Sequence, residues 1–113
     1  MKTVVCLVGG TICRVEVEEH ELVGGVMELI LTQLKAPLPS HWMDMYLLKR
    51  NGEWLKTGDF DVQQLMRLKK TDGILALMKK HGVMHYLSCV SDPAYGLPDT
   101  EDVGDDDVHV LVQ

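Results

Sequence analysis

Apolar and polar positions follow two different periods along this chain, and the change of period divides it into elements. Residues 3–8, Thr-Val-Val-Cys-Leu-Val, form a nearly continuous apolar, β-branched run, which predicts a buried central strand. Gly9-Gly10 is a turn signal. Cys13, Val15 and Val17 then alternate with Arg14, Glu16 and Glu18, predicting a strand with one wet face and, with the first, an N-terminal hairpin. Val23, Val26, Met27, Ile30 and Leu34 fall at i, i+3, i+4, i+7 and i+11, the single apolar stripe of a helix. Gly24-Gly25 weakens its first turn, Pro37 and Pro39 end it, and Ser40–Asp44 reads as a loop.

Met45–Leu55 is a short apolar run, a polar Asn51-Gly52 turn and a second apolar pair, Trp54-Leu55. Asn-Gly takes the positive φ angles of a tight turn, so the stretch predicts a β-hairpin. Lys56–Asp59 is a loop. Asp61–Lys70 predicts a short helix, acidic at its start and basic at its end as the helix dipole favours. Ile74–Lys80 fits helix or strand. Ser91–Asp107 holds Pro93, Gly96, Pro98 and Gly104 among acids and reads as loop. Val108–Val112 predicts a final apolar strand.

The order β-β-α-β-β-(helix, loop)-β implies an α+β domain. It is the layout of a ubiquitin-like β-grasp: a mixed sheet of about five strands, one main helix packed across it and a short second helix. In that fold the last strand lies beside the first, and residues 3–8 and 108–112 are the most apolar segments, as paired central strands should be.

Composition sharpens this in three ways. A chain of 113 residues, 46% hydrophobic, suits one domain with its own core. Aromatics are few, so the core must be aliphatic, with most of seven methionines inside. Three cysteines (Cys6, Cys13, Cys89) without a CxxC predict reduced, mostly buried thiols rather than a disulfide framework.

The net charge of −6 divides unevenly: residues 49–81 carry +4 and the rest −10. An acidic total argues against a dedicated nucleic-acid binder, which needs a positive field. A basic patch at Arg67–Lys70 reads as a solvated helix face. No run of about 18 apolar residues exists, so no transmembrane segment is expected. Residues 1–10 superficially resemble a signal peptide. Their apolar run of about five residues is shorter than a signal core of roughly 7–15, and a buried strand explains it.

Candidate chemistry is sparse. His81, His85 and Cys89 stand at i, i+4 and i+8, a metal-holding face on an unbroken helix, but Gly82 interrupts it and a fourth ligand is not apparent. The acids at 99, 101, 102 and 105–107 lack the ladder of an EF-hand and read as a solvated loop guarding a sticky final strand. GxSxG, HExxH, P-loop and GxGxxG patterns are absent. The expectation is a non-enzyme without cofactor or bound metal.

Four landmarks resemble one family. Met45, Tyr46, Leu47, Leu48 and Lys49 resemble the Leu-Phe-Leu-Ala-Lys motif of the Crinkler (crinkling-and-necrosis) effectors of plant and amphibian pathogens and some symbiotic fungi. A turn and Glu53-Trp54-Leu55 follow, similar to the family's Ala-Trp-Leu step. Asp61–Leu68 is similar to its Asp-Val-x-x-Leu-x-x-Leu helix, and His109, Val110, Leu111 and Val112 to the first four residues of the His-Val-(Leu/Val)-Val-Val-Val-Pro motif that closes its N-terminal region. The start, Val4–Gly9, also looks like theirs. The resemblance spans nearly the whole chain. Tyr46, Leu48 and Gln113 depart from the pattern.

It implies that residues 1–113 are the ubiquitin-like N-terminal domain of a modular, secreted virulence protein, with the toxic or regulatory activity in a further C-terminal domain. In that family the N-terminal domain is associated with delivery into host cells, and the full-length effector often with the host nucleus. The resemblance implies Met45–Lys49 as the translocation motif, His109–Val112 as the domain-end motif, and a host or self protein as partner. A generic intracellular ubiquitin-like adaptor, binding through a sheet face or strand edge, is the competing expectation.

Overall fold

Two apolar clusters, one on each side of a central sheet, organise the molecule. A computed structural model of the chain describes residues 1–35 and 43–113. Strands β1 (Lys2–Val8) and β2 (Thr11–Val17) form the expected antiparallel hairpin, closed by Gly9-Gly10 and pairing Val8 with Thr11. After helix α1 (Val23–Gln33) come β3 (Met45–Leu47), β4 (Lys49–Arg50) and β5 (Glu53–Lys56). Helices α2 (Phe60–Met66) and α3 (Asp72–His81) follow, then β6 (Asp107–Val108) and β7 (Val110–Val112). The fold is α+β, with a mixed four-stranded sheet in the order β2-β1-β7-β3, a second sheet β4-β5-β6, and three α-helices among the described residues. β1 runs parallel to β7 at the centre of the first sheet, so the two most apolar segments are neighbours as expected.

The helix stripe is buried largely as predicted. Val23, Val26, Met27 and Ile30 face the sheet, joined by Leu31, while Leu34 caps the helix end half-buried. α1 has no side-chain N-cap. Its free N–H groups are met from outside: Val23 N–H donates to Ser88 O (2.9 Å) and Gly24 N–H to Tyr86 O (3.0 Å). That contact explains Gly24, where a Cβ would stand 3.3 Å from the Tyr86 ring and 3.4 Å from its carbonyl oxygen. The helix ends before Pro37 and Pro39. Those prolines and residues 40–42 of the expected loop lie outside the described residues.

Several expectations need correcting. The strands do not form one sheet of about five; among the described residues, seven short strands make two sheets. Met45–Leu55 is not one hairpin. Met45–Leu47 pairs antiparallel with β7, and the hairpin proper is Lys49–Arg50 against Glu53–Lys56. Its turn is as predicted, with Asn51 at φ +54° and Gly52 at φ +80°. The predicted helix 61–70 stops at Met66, and Leu68 reverses the chain at φ +63°. A further helix, α3, accounts for Ile74–Lys80, begun by Thr71, whose hydroxyl accepts from Ile74 N–H (3.2 Å). Among the described residues, Met27, Met45 and Met84 are buried, whereas Met1 and Met66 are exposed. Cys6, Cys13 and Cys89 are free thiols, the first two buried and the third half-buried.

The final strand is also broken. Val108 lies in the cluster with Leu7, Leu48 and Leu55, whereas Val110 lies in the α1-side cluster with Val4 and Cys6. Residues two apart share a face in a regular strand. The chain therefore turns over at His109, which sends β6 to β5 and β7 to β1 and β3.

Candidate functional site

The two segments singled out by sequence are neighbours in the fold. Met45 pairs with Val112, Tyr46 with Leu111 and Leu47 with Val110, and Leu48 N–H donates to His109 O (2.8 Å). Burial dominates this region. Met45 and Leu47 enter the α1-side cluster, Leu48 enters the opposite one, and Tyr46 packs against the latter. The sheet is covered on both faces, so alternation leaves neither set of the motif's apolar side chains free. Val110, Leu111 and Val112 are likewise buried. Lys49, like Tyr46, is half-buried, with Nζ 4.8 Å from the Trp54 ring centroid, a cation–π contact.

His109 is the residue whose role the sequence did not reveal. It is fully buried. Its backbone N–H donates to Val5 O (2.9 Å), and its Nδ1 accepts from Val5 N–H (3.0 Å), replacing a ladder carbonyl with a side chain. A ring nitrogen that accepts must be unprotonated, so the neutral ring carries its proton on Nε2. Nε2 has no hydrogen-bond partner among the described residues, and the ring packs edge-on against Trp54, with centroids 4.8 Å apart. Burial pushes the imidazole pKa down to about 4; Asp107 opposes this, while Arg14 and Lys56 add to it. The histidine is neutral at physiological pH and serves as a structural acceptor at the strand break.

Charged pairs frame this corner. Lys56 Nζ donates to Asp107 Oδ1, and Gly104 N–H to Asp107 Oδ2 (2.9 Å). Burial pushes the Asp107 carboxyl up, but those two bonds outweigh it and hold its pKa below the usual range. Asp107, expected in a solvated loop, is thus buried and bonded. Asp61 accepts from Thr71 Oγ1 (2.5 Å) and from the Arg50 guanidinium, which hold its carboxyl low despite partial burial. His81 Nε2 lies 2.8 Å from Lys49 O, tying α3 to β4.

The spacing that suggested a metal face does not survive folding. α3 ends at His81 because Gly82 takes φ +70°. His85 is exposed, with Nδ1 accepting from Leu87 N–H (3.2 Å), and Cys89 sits beside Leu22 at the start of α1. The three do not share a helical face. The side chains of Asp99, Glu101 and Asp102 do converge to within 4.8 Å, but Lys2 Nζ already pairs with Asp99 (2.9 Å) and holds its carboxyl pKa low. Cys6 and Cys13 face each other across the β1–β2 ladder inside the core, and burial pushes both thiols up, away from the reactive thiolate. Among the described residues, no helix is long and apolar enough to cross a membrane.

The outer edge of β2 is paired by no described strand. The first sheet ends there, beside a groove of about 520 Å³ between β2 and α1 lined by Val15, Leu29 and Thr32. The alternation of Arg14 and Glu16 with buried valines was visible in the sequence; that this strand would be the edge was not. No protein-family model, curated protein or solved structure matches this chain.

Proposed function

We propose that this chain is the non-catalytic N-terminal trafficking and interaction module of a secreted, host-directed effector of the Crinkler type, folded as a ubiquitin-like β-grasp. The observation that carries the reading is that the resemblance landmarks fall, in order, on elements of one architecture. Val4–Val8 lies in β1, Met45–Leu47 is β3, Trp54-Leu55 lies in β5, Asp61–Met66 in α2 and Val110–Val112 is β7. Parallel first and last strands at the sheet centre, with α1 across one face, support the β-grasp assignment. On this reading the module acts in host cells, the full-length protein reaches the host nucleus, and its partner is a host or self protein.

A reporter fused to residues 1–113 in the secreting organism tests delivery. Signal in host cells is expected, reduced by Lys49→Glu with the melting temperature little changed. A reporter retained in the secreting cell overturns the delivery role. Replacing Leu47 and Leu48 is uninformative, because both are core residues.

An intracellular protein-binding adaptor is the second reading, favoured by an edge of β2 that no described strand pairs. It expects a partner recovered from the organism's own cytosol that is lost when that edge is blocked.

A further inference from the structure

The edge of β2 has a chemistry of its own. Val5 directs both its N–H and its C=O toward His109, on the β7 side of β1. Its cross-strand partner Arg14 is therefore in a non-hydrogen-bonded pair, and Arg14's own N–H and C=O point away from β1. By alternation, so do those of Ile12 and Glu16. Three donors and three acceptors line an edge that no other described strand pairs. Natural edges of this length are usually shortened, bulged, covered or charged, because they template another strand, and here exposed Arg14 and Glu16 are the only such device among the described residues. β2 runs unbroken for seven residues.

The side chains beside the edge specify what fits. On the α1 side the groove floor is apolar: Val15 is buried at its back, and Leu29 stands 44% exposed above it, flanked by Thr32 and Gln33. A strand laid along β2 would drop alternate side chains against Val15 and Leu29. The rim is acidic. Residues 11–33 hold five glutamates (Glu16, Glu18, Glu19, Glu21, Glu28) and one basic side chain, Arg14. Glu19 is within 3.9 Å of the terminal amine and Glu21 accepts from Leu22 N–H, but Glu16, Glu18 and Glu28 are exposed. That acidic balance disfavours a second copy of this chain, whose net charge is −6.

We infer that the β2 edge and its α1 groove bind an extended, basic peptide by strand addition: aliphatic side chains at alternate positions toward α1, and lysines or arginines flanking them to complement the acidic balance of residues 11–33. The inference rests on the interaction-module reading and supplies its docking site.

The test uses the full 113-residue chain and a fluorescein-labelled peptide of alternating Val and Thr flanked by Lys. Saturable binding is expected, at least about tenfold weaker for the same peptide with Glu flanks. Arg14→Pro removes one outward N–H without touching the β1 ladder, since proline is tolerated with its nitrogen facing off the edge. It should weaken binding about tenfold, as should Leu29→Lys. In the wild type, amide exchange of Ile12, Arg14 and Glu16 should slow on peptide addition, a readout that needs no variant. Absence of saturable binding to about 1 mM, or protection confined to other amides, overturns the site. So does a dimer in sedimentation that Arg14→Pro dissociates, which would assign the edge to self-pairing. Failure here leaves reporter delivery untouched, and loss of delivery with peptide binding intact overturns only the secreted-effector reading.

Discussion

Two regions of one sheet behave oppositely. The inner region, where β3 and β7 meet around His109, is closed: its apolar side chains fill two cores and its ladder is completed even by an imidazole nitrogen. The outer region, the free edge of β2, is open, charged and unpaired by any described strand. The inner region holds the segments that stand out in the sequence. The outer region holds a row of backbone N–H and C=O groups that no described strand pairs. A motif that stands out by apolar rhythm does so because it builds a core, and burial removes it from the surface where partners bind.

The comparison can be broken most directly at Leu48. Leu48→Ala should cost about 2–5 kcal/mol in urea unfolding, as should Ile30→Ala on the opposite face. A loss below about 0.5 kcal/mol at either site would mean that the corresponding core is not close-packed.

Acid sharpens the difference next. The folded pKa of His109 is about 4, below its ordinary 6.5, so between these values the unfolded state binds the extra proton. Stability attributable to His109 is therefore intact at neutral pH and falls as pH drops from about 6.5 to 4, by roughly 2–3 kcal/mol between pH 7 and pH 4.5. The carboxylates held low, Asp61 and Asp107, give up their contribution only at lower pH, as they protonate. Urea midpoints across that range should slope in the wild type and flatten in His109→Asn, whose amide oxygen can accept from Val5 N–H without titrating. An equal slope in both proteins would remove His109 from the account.

A smaller effect belongs to the second sheet's support. Thr71→Ala removes the cap of α3 and a hydrogen bond to Asp61, and should cost about 1 kcal/mol by thermal unfolding. Smallest is the outer edge. Glu16→Ala should change stability by no more than about 0.5 kcal/mol in the same assay, because an exposed edge side chain supports little of the fold. A large loss there would show the edge to be structural and erase the contrast.

Periodicity alone determined the β1–β2 hairpin, the α1 stripe, the Asn51-Gly52 turn and the adjacency of the two most apolar strands. These are local patterns, or the pairing of segments too apolar for an edge, and they need no knowledge of distant partners. Tertiary structure decided the rest. Gly24 looked like a helix weakness and is the seat of Tyr86. Leu48 and His109 looked like members of continuous strands and are the points where the chain changes partners, because each bonds to residues far away in sequence. Which strand would be left unpaired was invisible for the same reason: an edge is defined by what fails to lie beside it, and that is a property of the assembled sheet.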